Sequence, residues 1–199
     1  MMGFHEDWYP DPQLRHLLRL CRHVRDLPGA MIEIGCWEGK STVALANTCH
    51  PETLIAVDSW TGNIAEDPNH YHLQLLAERD VYGTFVKNIN ELTRGNVQIV
   101  KQDCFEFLAS FSGPVKFCHI DASHDYASVK RTIEMLKPMM IDGGILCGDD
   151  YLNAGRDRLD LDGGVERACF DALPAHYVIG NFWFWRNDEV SGRRRASAA

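Results

Sequence analysis

Leu14, Leu17, Leu18, Cys21 and Val24 recur at helical spacing, which predicts an amphipathic helix over residues 12–27. Pro28-Gly29 ends it. From there, short apolar runs alternate with helical stretches. The pattern predicts strands at Ala30–Gly35, Thr53–Val57, Val97–Val100, Val115–Ile120 and Gly144–Cys147. It predicts helices at Ser41–Cys49, over 71–92 with a break near Gly83, and at Cys104–Phe111, Tyr126–Leu136 and Val165–Leu173. Two β-rich runs, His176–Gly180 and Phe182–Arg186, flank Gly180-Asn181 and read as a terminal hairpin.

Repeated strand-helix units with nearly continuous apolar strands describe a parallel sheet covered by helices on both faces. The expected fold is α/β: a three-layer α/β/α, Rossmann-like sheet, mostly parallel, with an antiparallel C-terminal hairpin strand. Residues 1–199 are expected to form a single domain, with 1–10 as an N-terminal segment and 188–199 as a flexible tail. There is no internal repeat or linker. Trp183, Phe184 and Trp185 alternate poorly for a one-sided strand. They are expected to pack the sheet edge, with a homo-oligomer interface as the other reading.

Open α/β sheets bind ligands beyond the carboxyl ends of their strands. Asp58 follows the second predicted strand, Asp103 the third, Asp121 the fourth, and Asp149-Asp150 the fifth. A single Asp after a strand is ordinary turn chemistry. The same placement after one strand after another marks a polar rim.

Composition narrows the classes. The formal net charge is -8, which gives no global attraction to nucleic acid. The basic run Arg193-Arg-Arg195 lies in a Ser/Ala/Gly tail and reads as solvated. The polar, acidic start is not a signal peptide, and no apolar run approaches a membrane span. Met2-Gly3 resembles a myristoylation start, but the later Ser/Thr of that motif is missing. The 7 cysteines are scattered singly, as small buried hydrophobes in a reducing cytosol would be. A cytoplasmic protein acting on a small molecule is expected.

The first strand runs into Gly35-Cys-Trp-Glu-Gly-Lys-Ser41, a strand–glycine turn–helix junction. Such a turn brings backbone close to a ligand and offers free helix N–H groups. A phosphate loop needs four residues before its Gly-Lys-Ser, and here only three separate Gly35 from Gly39. The dinucleotide fingerprint needs a second glycine where Trp37 stands. An S-adenosylmethionine turn demands neither. Glu33, two residues before Gly35, suits a cationic amino-acid end, Asp58 the ribose hydroxyls, and Asp103 the adenine amino group. The plain alternative is a junction without a ligand.

Asp121, Asp149 and Asp150 should lie close together, and two carboxylates at about 4 Å repel by about 4 kcal/mol at an effective dielectric of about 20. Without a cation, one should take up a proton or turn away. An all-oxygen site favours magnesium, calcium or manganese. The competing reading is a turn that caps the next segment. His124, three residues after Asp121, is a candidate general base or else a capping residue. His70, Tyr71 and His72 fit a substrate lid or an exposed helix equally well.

Three segments, MIEIGCWEGKSTVALA, IAVDSWTGN and VKFCHIDASHDYASVKRTIEMLKPMMIDGGILCGDDY, resemble the class I methyltransferases related to macrolide-sugar O-methyltransferases and cephalosporin-hydroxylase-like proteins. The resemblance covers roughly residues 8–186. It implies a seven-stranded sheet with the last strand antiparallel, S-adenosylmethionine as methyl donor and, in several members, magnesium. By position it implies Asp121, Asp149 and Asp150 as metal ligands, and His124 with Asp121 as the catalytic pair. Glu33, Gly35, Gly39 and Ser41 would line the methionine end. Asp58 would hold the ribose, Asp103 and Cys104 would edge the adenine, and Trp60 would join the cofactor-binding set. The turn before the fifth strand is longer than the family's usual form, and the tract after Trp60-Thr-Gly62 lacks its common wording. Metal-assisted O-methylation of a sugar or phenolic hydroxyl is expected. A nucleotide-hydrolysing enzyme on Gly39-Lys-Ser41, or a non-catalytic binding protein, are the alternatives.

Overall fold

The computed structural model describes residues 3–6, 8–62, 71–152 and 164–188. The expected lid residue His70 and positions 189–199 of the expected tail lie outside them. Among the described residues there are seven strands: β1 (Ala30–Ile34), β2 (Leu54–Asp58), β3 (Val97–Lys101), β4 (Val115–Ile120), β5 (Met140–Gly148), β6 (Tyr177–Ile179) and β7 (Phe182–Arg186). They form one sheet in the order β3-β2-β1-β4-β5-β7-β6. The pairs from β3 to β5 are parallel, and β7 runs antiparallel to both β5 and β6.

The period-2 alternation of each strand sorts its side chains to two faces. Ile32, Ile34, Cys118, Ile120 and Leu146 join one cluster with α5 (Cys104–Ser110), α6 (Tyr126–Leu136) and α7 (Gly164–Ala172). Met31, Phe117, Ile145 and Cys147 join another with α1 (Asp11–His23) and α2 (Lys40–Cys49). Each fully buried Leu, Ile or Val contributes about 1.5–3 kcal/mol, so the two clusters are the main source of stability. This is the expected three-layer α/β/α arrangement. The strand order reverses between β1 and β4, and the switch point falls where Gly35 and Asp121 leave the sheet.

The structure corrects three details. The helical stretch over 71–92 is two helices, α3 (Tyr71–Glu78) and α4 (Val81–Leu92). Asp80 sets the break: its carboxylate caps α4 by accepting from the Gly83 N–H at 2.8 Å, and Gly83 lies inside the helix. α1 ends at His23, earlier than periodicity suggests. Trp183 and Trp185 do not cover a sheet edge, because β7 lies inside the sheet and buries them in the core. The edge strand at that end of the sheet is β6, where Tyr177, Val178 and Ile179 are exposed. All seven cysteines are free, and six are buried.

Candidate active site

The glycine turn is shaped by packing as much as by openness. Gly35 has φ +87°, and a Cβ there would overlap the Asp121 carbonyl oxygen and fall 2.8 Å from Ala122 Cα. The turn after β1 is thereby pressed against the turn after β4. Gly39, also left-handed, starts α2. Ser41 is buried in the first turn of that helix. Asp58 sits under the loop. Its Oδ2 accepts from the Cys36 and Trp37 N–H groups at 2.8 and 3.1 Å, and its Oδ1 from the Trp60 N–H at 2.8 Å. Burial raises its pKa, and those three N–H groups pull it back. Much of the carboxylate expected to serve a ribose is therefore committed to the loop.

Trp60 is a core residue. Its ring packs on Tyr82 and Phe85, and its Nε1–H donates to the Trp37 carbonyl at 2.9 Å. Asp103 caps α5, with Oδ1 accepting from the Phe105 and Glu106 N–H groups at 2.9 and 3.2 Å. Cys104, half-buried, is the first residue of that helix.

The acid rim assembles differently from its sequence reading. Asp121, His124 and Asp150 each offer one ligand atom, and these atoms lie within 4.8 Å of one another. His124 Nε2 stands 2.9 Å from Asp150 Oδ2 and 3.9 Å from Asp121 Oδ1. Burial opposes the imidazolium, but the two carboxylates outweigh it and raise the His124 pKa to about 10. Asp150 holds a left-handed backbone (φ +61°), and its Oδ1 accepts from Asn181 Nδ2 at 3.1 Å. Asp149 stands apart from the trio. Its two carboxylate oxygens accept from Gln13 Nε2 at 2.9 and 3.0 Å. Burial first, then Asp121 and Asp150, raise its pKa to about 7. One carboxylate thus turns away toward an amide, as crowding of like charges requires. A cavity of about 10 Å³ bounded by Asp121, His124, Asp149 and Trp183 has room for one water-sized occupant.

Sequence reasoning missed two parts of the site. One is His119, in the middle of β4 and fully buried. It pairs across the sheet with Glu33, and its Nδ1 lies 3.1 Å from Glu33 Oε1. Burial works against a charge there, but the Glu33 carboxylate prevails and raises the His119 pKa. Glu33 is also fully buried, and among the described residues its Oε2 has no hydrogen-bond partner. A histidine inside an apolar strand on the same face as a buried acid was the available signal.

The other is the N-terminal segment, which runs along the glycine turn to the rim. His5 meets the buried Glu38 carboxylate through its backbone N–H at 2.7 Å and its Nδ1 at 2.8 Å. Glu6 accepts from Trp37 Nε1 at 3.2 Å and pairs with Arg79. Trp8 packs on Trp37, Tyr71 and His72.

A family model described as a methyltransferase domain matches residues 32–151, more than half of the 199 residues. No curated protein sequence matches the chain. Solved structures share its fold at low identity. The O-methyltransferase NovP is 18% identical, with a TM-score of 0.65 over 88% of this chain and 79% of that one. An O-methyltransferase from Bacillus cereus, solved with SAH, is 16% identical, with a TM-score of 0.61 over 89% and 80%. The O-methyltransferase TomG from Streptomyces achromogenes, involved in tomaymycin synthesis and solved with SAM, is 15% identical, with a TM-score of 0.62 over 89% and 80%.

Proposed function

Because the chain belongs to the methyltransferase-domain family, we propose that it transfers the methyl group of S-adenosylmethionine to a hydroxyl oxygen of a small acceptor, assisted by a hard divalent cation such as magnesium. The observation that carries this reading is the contact of Gly35 with the Asp121–Ala122 backbone. It supports this reading because the turn assigned to the cofactor and the trio assigned to the cation then meet at one switch point, the arrangement that transfer between two bound molecules requires.

Both partners find fitting groups. Glu33 Oε2, buried without a donor, suits the ammonium of a methionine end. Gly35, Gly39 and Ser41 would line that end. Asp58 would stand by the ribose with Trp60 packed behind it, and Asp103 and Cys104 by the adenine. Asp121, His124 and Asp150 would hold the cation. Their 4.8 Å spread matches a shell with ligand distances of about 2.0–2.6 Å. A bound cation supplies Lewis acidity, which lowers the pKa of an acceptor hydroxyl. Asp149, held by Gln13, stays outside that group.

With the Nε2 lone pair of His124 on the cation, the hydroxyl proton would pass to Asp121; with His124 off the cation, His124 itself would take it up. A nucleotide-hydrolysing reading is weaker, since Lys40 Nζ donates to the Tyr9 carbonyl at 2.8 Å.

The test is calorimetry with S-adenosylhomocysteine, with and without magnesium, followed by mass spectrometry across a panel of hydroxylated acceptors. Binding, and the mass gain of one methylene on a hydroxyl compound, are expected. No binding at millimolar ligand refutes the cofactor. Methylation that withstands a chelator removes only the metal.

A further inference from the structure

Glu33 and His119 are a carboxylate and an imidazole facing each other in an otherwise apolar layer between the sheet and α1 and α2. Such a buried pair is weak support for stability, because desolvation cancels most of the attraction. Its effect is better sought in orientation. The pair continues outward: His119 Nε2 lies 3.1 Å from the Tyr9 hydroxyl, and the two rings meet edge to face at 5.5 Å. Tyr9 is only 6% exposed, so its ring is sunk into the core while its neighbours Trp8 and Pro10 stay at the surface.

The residues around Tyr9 form further ties. Its own carbonyl accepts from Lys40 Nζ at the start of α2. Upstream, Gly3 and His5 are bound to Asn88 and Glu38. Downstream, Gln13 holds Asp149. Tyr9 therefore stands where the segment crossing the glycine turn is fastened into the sheet.

We propose that Tyr9 is a positioning residue of the cofactor turn: through His119 it sets the Glu33 carboxylate, and its buried ring fastens the segment from Gly3 to Gln13 across that turn. This rests on the cofactor reading above. His119 has two ring nitrogens and two partners. With Nε2 held by the phenol, Nδ1 faces Glu33 Oε1, and the unpartnered Oε2 is left for a ligand's ammonium. Without the phenol oxygen, the imidazole loses one of the two contacts that fix its plane, and Glu33 is free to choose another rotamer.

The experiment compares wild type with Y9F, which keeps the ring and its volume. S-adenosylhomocysteine affinity is measured by calorimetry, and amide hydrogen exchange is measured on the ligand-free proteins. Y9F is expected to bind about tenfold more weakly, the scale of one hydrogen bond to a charged group. It is also expected to exchange faster over residues 3–13, the His5 amide included.

A third and fourth protein, E33Q and E33Q/Y9F, test the route. If Tyr9 acts through Glu33, the double variant binds no more weakly than E33Q alone. Additive losses overturn the relay, and unchanged affinity and exchange in Y9F overturn the whole assignment. If wild type does not bind, the cofactor reading falls and the relay with it. The exchange comparison, which needs no ligand, then decides the fastening alone.

Discussion

Replacing Gly35 by alanine tests the joint on which the site is built. Two costs arise, and the structure separates them. The first is conformational: at φ +87° an L side chain loses about 1–2 kcal/mol. The second is steric. The new Cβ meets the Asp121 carbonyl and lies 2.8 Å from Ala122 Cα, and these are backbone atoms that cannot swing aside as a side chain would. Overpacking of that kind costs about 1–3 kcal/mol. The sum, about 2–5 kcal/mol, lowers the melting temperature by roughly 5–15 °C in a chain of this size. Gly95 is the control. It has a similar φ of +77°, but a Cβ there meets nothing within 4 Å. G95A should therefore lose only the conformational part, a few degrees. Scanning calorimetry of G35A, G95A and wild type reads the difference directly. On the proposed function, relief of the clash in G35A displaces Asp121, so protection by magnesium and by S-adenosylhomocysteine should fall together. Equal melting losses in the two variants would refute the close approach of the two turns.

Two further outcomes follow from the same geometry. Asp149 binds its proton more tightly in the folded protein, with a pKa of about 7, than in an unfolded chain, at about 3.9. Its contribution to stability is therefore present at low pH and lost as pH rises between those values. Urea titrations of chelator-treated protein should show D149N gaining on wild type across that window. A difference independent of pH would place Asp149 in a more open setting. Phe85, fully buried against Trp60 beneath the turn, should cost about 3–5 kcal/mol when cut to alanine. The urea midpoint measures this, and a loss under about 1 kcal/mol would mean that the wall behind the turn collapses around the gap.

The sequence by itself determined the layers, nearly all the elements and the place of the rim. Alternation sets strand faces, helical spacing sets helix faces, and the glycines mark the turn; all three are local properties that a chain carries with it. It also determined that the acids crowd, since Asp121, Asp149 and Asp150 end neighbouring strands. It also predicted the helix break but set it near Gly83; its place escaped it because the Asp80 side chain caps α4 and moves the break upstream.

Tertiary structure alone decided which acid stays with the cluster and which leaves. The partner of Asp149 is Gln13, 136 residues away, and no local pattern could announce an amide from α1. The same holds for His119 and Glu33, 86 residues apart, which only the β1–β4 register brings face to face. Strand pairing, which sums weak preferences over whole strands, chooses such neighbours. Once it has done so, a buried polar group must take the partner it is given.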